Sequence, residues 1–148
     1  MMHGYDKDAA VEFITRCIRK ADHPELAEDI RALVPQMIDA DMAYMHEAGV
    51  LDDDGYAGDA YYEDDEAIEY IVESLAAKNA LDPEQAVKLA ALVDDYLDAQ
   101  QMFLESQGMV EYGEQTLQTL KKVLHLAFVG AEPFLISLLL DGNRKIFL

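Results

Sequence analysis

Carboxylates dominate the side chains of this chain that could do chemistry. Eight of the fifteen residues from Asp52 to Glu66 are Asp or Glu, and carboxylate oxygens are the ligands that hard cations such as calcium require. A calcium loop needs oxygens at positions 1, 3, 5 and 12 and a glycine at position 6, where the backbone turns sharply. Counted from Asp52, positions 1, 3 and 12 are Asp52, Asp54 and Glu63, but position 5 is Tyr56, position 6 is Ala57, and glycine (Gly58) arrives one place late. The match fails where the backbone is most constrained. Asp52, Asp54, Asp59 and Glu63 are therefore weak metal candidates, and the expectation is a solvated acidic loop that also caps the helix after it.

Other chemistries lack their residues. None of His3, His23, His46 and His125 has an acid three positions before it, so the Glu-x-x-His pairs of a dinuclear carboxylate bundle are missing. His46 and His125 fall beside an apolar stripe and are expected at the surface. Cys17 lies in such a stripe next to Ile18 and reads as a small buried hydrophobe rather than a nucleophile, although Arg16 adjoins it. There is no glycine-rich phosphate loop, zinc spacing, nucleophile elbow or dinucleotide fingerprint. The expectation is a non-enzymatic protein with no cofactor and no catalytic residue.

The elements that carry these residues are repeated. Tyr5 to Ile14 aligns with Tyr62 to Ile71 at a shift of 57, and after two extra residues the shift becomes 59. Pro24-Glu25 then meets Pro83-Glu84, Ala32-Leu33-Val34 meets Ala91-Leu92-Val93, Asp39-Ala40 meets Asp98-Ala99, and Gly49 meets Gly108. Roughly 14 of 48 aligned positions are identical, which marks an internal repeat. Each copy reads as a helical hairpin. Carboxylates suit the start of the first helix of each copy, near Asp6 and near Asp64, where N–H groups and the positive dipole end are exposed. The second helix is expected to begin at Pro24 or Pro83, with Asp82 and Gln85 at capping-box spacing, and to stop at Gly49 or Gly108. Pro35 should kink the first of these long helices.

The predicted fold is all-α: an antiparallel bundle of two duplicated hairpins (about residues 5–52 and 62–111) joined by an acidic linker (53–61), plus a C-terminal apolar helical region (112–148), all in one domain. A fifth helix is expected from Glu114 to near Gly130 and a short sixth from Pro133 to Leu140. The alternative for the tail is a hairpin turning at Asp141-Gly142-Asn143.

One position breaks the apolar pattern. At about 100° per residue, Asp41 falls in the middle of the stripe formed by Ala27, Ile30, Val34, Met37, Ile38 and Met45. Gln100 occupies the matching place in the second copy. Asp41 and Gln100 are thus expected as a buried polar pair at an approximate twofold axis, meeting directly, through water, or through the hydroxyl of Tyr44 or Tyr96. The role is either the floor of a small polar pocket or a hydrogen bond that fixes helix register; the second is preferred. Asp39 and Asp98 lie off the stripe and should be solvated.

Composition bounds the rest. The 148 residues are 51% hydrophobic and carry a net charge of −19, too apolar for a disordered acidic chain. Residues 1–112 hold 27 acids against 7 bases, whereas residues 113–148 hold 3 against 4. Such charge opposes approach to nucleic-acid phosphates and anionic lipid, so neither nucleic acid nor membrane is an expected partner. The start has no signal-peptide pattern and the longest apolar run is interrupted, which points to a cytoplasmic location. The leading functional expectation is binding to another protein, a basic one. The alternatives are a mimic of nucleic-acid charge that blocks a DNA-binding protein, and a bundle that binds a small ligand or cation. A homodimer is also expected, with Phe134, Leu138, Ile146, Phe147 and Leu148 as interface candidates, because exposed apolar side chains mark interaction surfaces.

Overall fold

The computed structural model describes residues 1–112 and 144–146. Four helices account for most of them: α1 (Lys7–Cys17), α2 (Ile30–Glu47), α3 (Asp64–Lys78) and α4 (Pro83–Ser106), followed by β1 (Val110–Tyr112) and β2 (Arg144–Ile146). The helices form a ring in which α1 and α3 each pack between α2 and α4. Side-chain bonds give the directions. The Lys7 ammonium at the start of α1 reaches Asp39, past the middle of α2, at 2.7 Å, and Tyr5, just before α1, reaches Gln100 near the end of α4, so α1 runs antiparallel to both. Glu66 early in α3 meets Tyr44 late in α2, and Asn79 after α3 meets Gln36 early in α2, so α3 and α2 are antiparallel too.

Three of the four helix starts follow local rules. Asp6 caps α1 by accepting from the Ala9 N–H, α3 opens with Asp64, Asp65 and Glu66 in its first turn, and Asp82 and Gln85 form a reciprocal capping box on α4. The exception is α2, expected from Pro24 and observed from Ile30. Where α4 has Asp82 and Gln85, the first copy has His23 and Leu26, so neither half of the capping box can form. Residues 24–29 accordingly run as successive turns. Pro35 stands inside α2 as expected. Both long helices stop at a glycine in the left-handed region, Gly49 (φ +78°) and Gly108 (φ +67°), a conformation other residues adopt only with strain.

The buried faces of α2 and α4 share most of their positions. Ile30, Leu33, Val34, Met37, Ile38, Ala40, Tyr44 and Met45 are buried in α2, and Leu89, Leu92, Val93, Tyr96, Leu97, Ala99, Phe103 and Leu104 in α4, each pair 59 positions apart. In and just after α1, Ala10, Ile14 and Ile18 match Ala67, Ile71 and Leu75 of α3, all buried. The aromatic contacts also recur. Tyr5 meets Phe103 edge-on at 5.6 Å as Tyr62 meets Tyr44 at 5.4 Å, and Phe13 meets Phe103 at 5.6 Å as Tyr70 meets Tyr44 at 5.8 Å. In each case the first helix of one copy, or the residue leading into it, rests on the second helix of the other.

Two further expectations are corrected. Cys17 is exposed rather than buried, because it is the last residue of α1 and the buried face continues through Ile14 and Ile18 instead. The end of the chain is not helical throughout: Arg144–Ile146 is a strand antiparallel to Val110–Tyr112, with Ile146 opposite Val110. The expected helices at 114–130 and 133–140, and the interface candidates Phe134, Leu138, Phe147 and Leu148, lie outside the described residues; of Ile146 the backbone pairing alone is described.

Removing the capping box tests whether side-chain caps set the helix starts. Asp82→Ala should destabilise the fold by about 1 kcal/mol, read as a lower urea midpoint at unchanged slope.

Candidate functional site

The polar centre of the bundle is built around Asp41. Its place on the inner face of α2 follows from the helix phase, and only 1% of its surface is exposed. A carboxylate so placed needs donors, since an unpaired buried charge costs several kcal/mol. Two phenols supply them: Tyr62 donates to Oδ1 at 2.7 Å and Tyr96 to Oδ2 at 2.7 Å. Gln100 joins the same network through Tyr96. Its Nε2 donates to the Tyr96 hydroxyl at 3.1 Å, and its Oε1 accepts from the Tyr5 hydroxyl at 2.9 Å. A continuous chain Tyr62–Asp41–Tyr96–Gln100–Tyr5 therefore runs through the core. Each of the two polar residues takes a hydroxyl from the tyrosine that leads into the first helix of the other copy.

Of the two hydroxyls expected as relays, Tyr96 serves. Tyr44 turns instead to the loop, donating to the Glu63 carbonyl and the Glu66 carboxylate, both at 3.3 Å. Tyr5 and Tyr62 escaped the helix-phase argument because they precede α1 and α3, where no phase applies. Their identity at matched positions was the available signal.

Burial sets the acid–base character of these phenols. It pushes the Tyr96 hydroxyl well above its ordinary value, with the Asp41 charge adding to the shift. Tyr5 is likewise raised by burial, aided by Asp41 and Asp39 and opposed by its bond to Gln100. Tyr44 is pushed up to about 12 by burial, opposed by its bond to the Glu63 carbonyl and reinforced by the Glu66 charge. The phenols are thus held as donors, which suits a hydrogen-bonded core rather than a proton-transfer site.

No protein-family model, curated protein or solved structure matches the chain.

The acidic loop is the second candidate, and its carboxylates do not converge. Asp52 Oδ1 accepts the Asp54 and Tyr56 N–H groups at 3.0 and 2.9 Å, closing its own turn. Asp54, Asp59 and Glu63 are exposed, and among the described residues no group of three or more potential metal ligands comes together. The loop is nevertheless held firmly. Val50 and Leu51 both donate to the Met45 carbonyl, Gly58 to Val50, Ala60 to Gly49, and His3 to Gly55; Leu51 and Ala57 form an isolated antiparallel bridge. Tyr56 and Tyr61 remain 44% and 49% exposed on it, and the His3 ring stacks on Tyr56 at 4.4 Å. Beside the loop lies a groove of about 360 Å³ with Met42 and Leu51 in its lining and Asp39, Glu47, Asp52 and Asp53 among its walls. His46, exposed as expected, bonds Asp53 at 2.8 Å at the same groove.

His23, to which the sequence assigned no role, is buried with Nε2 2.5 Å from Asp95 Oδ2 of α4. Lys88 of α4 pairs with Glu25 beside it. Together these contacts clasp the connection between α1 and α2 onto the other half of the bundle. Among the described residues no helix is long and apolar enough to cross a membrane.

The phenol shifts set the alkaline limit of the fold. A group with a raised folded pKa contributes stability that is intact below its unfolded value, about 10 for tyrosine, and is lost as pH rises through the folded value. Stability should therefore hold to about pH 10 and fall above it. Ultraviolet titration should show Tyr5, Tyr44 and Tyr96 ionising only with the loss of helical circular dichroism.

Proposed function

We propose that this protein acts by binding a basic protein partner, and that the contact surface is the acidic loop of residues 52–66 with the adjoining groove. The observation that carries this reading is a rigidly bonded loop that keeps seven of its eight carboxylates and two tyrosines exposed. Acidic loops left to themselves repel and spread; this one is closed by backbone bonds and by the Asp52 turn. A surface already ordered loses less entropy when a partner binds. Tyrosine is the residue type that interface centres favour, because it brings contact area with few rotors. The groove offers apolar contact from the exposed Met1, over a floor of Met42 and Leu51, to the stem of a lysine or arginine, and carboxylates at its mouth to the charged head. The excess charge of residues 1–112 steers such a partner from a distance set by the Debye length, about 8 Å at physiological salt.

The buried network does not support the ligand-binding alternative, since Asp41 and Gln100 spend their polar atoms on tyrosines and on each other's relay. A cation site in the loop has no converging ligands among the described residues.

Affinity capture at low and high salt tests the proposal, with Tyr56→Ser/Tyr61→Ser and Asp53→Asn/Asp54→Asn variants alongside the natural chain. These exposed residues leave the core untouched, so the variants should fold normally. The expected result is a basic protein that is released by salt and lost with either variant. Capture indifferent both to salt and to the loop variants would contradict the reading, whereas a captured DNA-binding protein that sheds its nucleic acid would favour charge mimicry instead.

A further inference from the structure

We propose that the unlike residues Asp41 and Gln100 form a pairing code: the interface between the hairpins takes one carboxylate and one amide, which fits the first hairpin to the second and rejects a second copy of the first. The code resides in the core and is independent of the loop surface proposed above as the partner site.

The matched positions carry it. Tyr5 and Tyr62 correspond at a shift of 57, and each donates its hydroxyl across the interface, Tyr62 to Asp41 and Tyr5 to Gln100. That part of the network is symmetric. The rest is not. Tyr96 donates to Asp41 and accepts from Gln100, while the position matching it at a shift of 59 is Met37, buried and without a hydroxyl. Asp41 thus obtains one phenol from the approach to α3 and one from α4, and half of that supply has no counterpart in the first hairpin.

The consequence appears when the faces are paired with themselves. Two first hairpins would bring Asp41 to Asp41 in an apolar core, each with a Tyr5 hydroxyl but with Met37 where Tyr96 had donated. Like charges in a low-dielectric interior repel strongly, and each carboxylate would lack a donor it now has. Two second hairpins would meet with Gln100 opposite Gln100; an amide both donates and accepts, so that arrangement can be satisfied. The discrimination is one-sided and comes from the repulsive element rather than from a stronger correct contact. Linkage through residues 48–63 already favours pairing within one chain, with an effective concentration in the millimolar range. The code matters where that advantage is matched, as among crowded or newly made chains.

The full-length chain tests this through three variants. Gln100→Asp places two carboxylates at the centre and should lower the folding equilibrium constant at neutral pH by about a hundredfold or more, with recovery as acid protonates one of them. Reversing the pair, Asp41→Gln/Gln100→Asp, restores one carboxylate and one amide; Tyr5 and Tyr96 then serve the new carboxylate and Tyr62 the new amide. The reversed variant should return to within about tenfold of the natural chain. Should Gln100→Asp not fold at all, the reversed variant still gives the reading. Asp41→Gln removes the repulsive element, so after refolding from urea at about millimolar chain its dimer fraction by light scattering should exceed that of the natural chain several-fold. The proposal is overturned if the reversed variant is no more stable than Gln100→Asp, if Gln100→Asp is as stable as the natural chain, or if Asp41→Gln and the natural chain give equal dimer fractions.

Discussion

A carboxylate in the middle of an apolar core is the constraint around which this bundle is arranged. Asp41 cannot stand there alone, because stranding an ionised group away from water costs several kcal/mol. It is tolerated because Tyr62 and Tyr96 reach it from the other half of the chain at 2.7 Å. Those hydroxyls must arrive at one depth, which fixes how far α2 slides along α3 and α4. Gln100 and Tyr5 extend the same condition to α1. Apolar packing supplies the larger share of the stability, but Leu and Ile side chains tolerate small shifts in register that a carboxylate hydrogen-bonded at both oxygens does not.

The exterior works against this interior. A balance of 27 acids to 7 bases over residues 1–112 makes the surface self-repelling. The ion pairs formed there, such as Lys7 with Asp39 and Arg31 with Glu12, are exposed and contribute little. Cohesion must therefore come from the buried face and the central network. The recurrence of the same buried positions and the same aromatic contacts in both halves supports the reading of the chain as a duplicated hairpin. In that reading His23 and Leu26, standing where Asp82 and Gln85 stand, mark where one copy gave up the first turn of a helix and gained a clasp to Asp95.

Helix phase and caps are local, and they made much of the bundle legible before any tertiary contact was known. Asp82, Gln85, Gly49 and Gly108 mark helix ends through side-chain bonds and backbone preferences that act within a few residues. The inward position of Asp41 and Gln100 follows from their apolar neighbours one turn away. What escaped depends on tertiary contact. Nothing near Tyr5 or Tyr62 says that their hydroxyls enter the core, since both lie outside a helix. Pro24 looks like a helix start until the missing cap at His23 is weighed against it. Cys17 shares the periodicity of Ile14 and Ile18 but ends its helix. The pairing of Val110–Tyr112 with Arg144–Ile146 joins segments more than thirty residues apart, a separation that no local pattern encodes.

Urea unfolding of Asp41→Ala beside Asp41→Asn tests most directly whether the central carboxylate holds the halves in register. Asparagine keeps an acceptor for one hydroxyl and a donor that can meet the other, so its midpoint should stay near that of the natural chain. Alanine removes the acceptor to which the Tyr62 and Tyr96 hydroxyls donate and should cost about 1–3 kcal/mol. An alanine variant as stable as the natural chain, or more so, would mean that the network is dispensable and that apolar packing alone sets the register of the bundle.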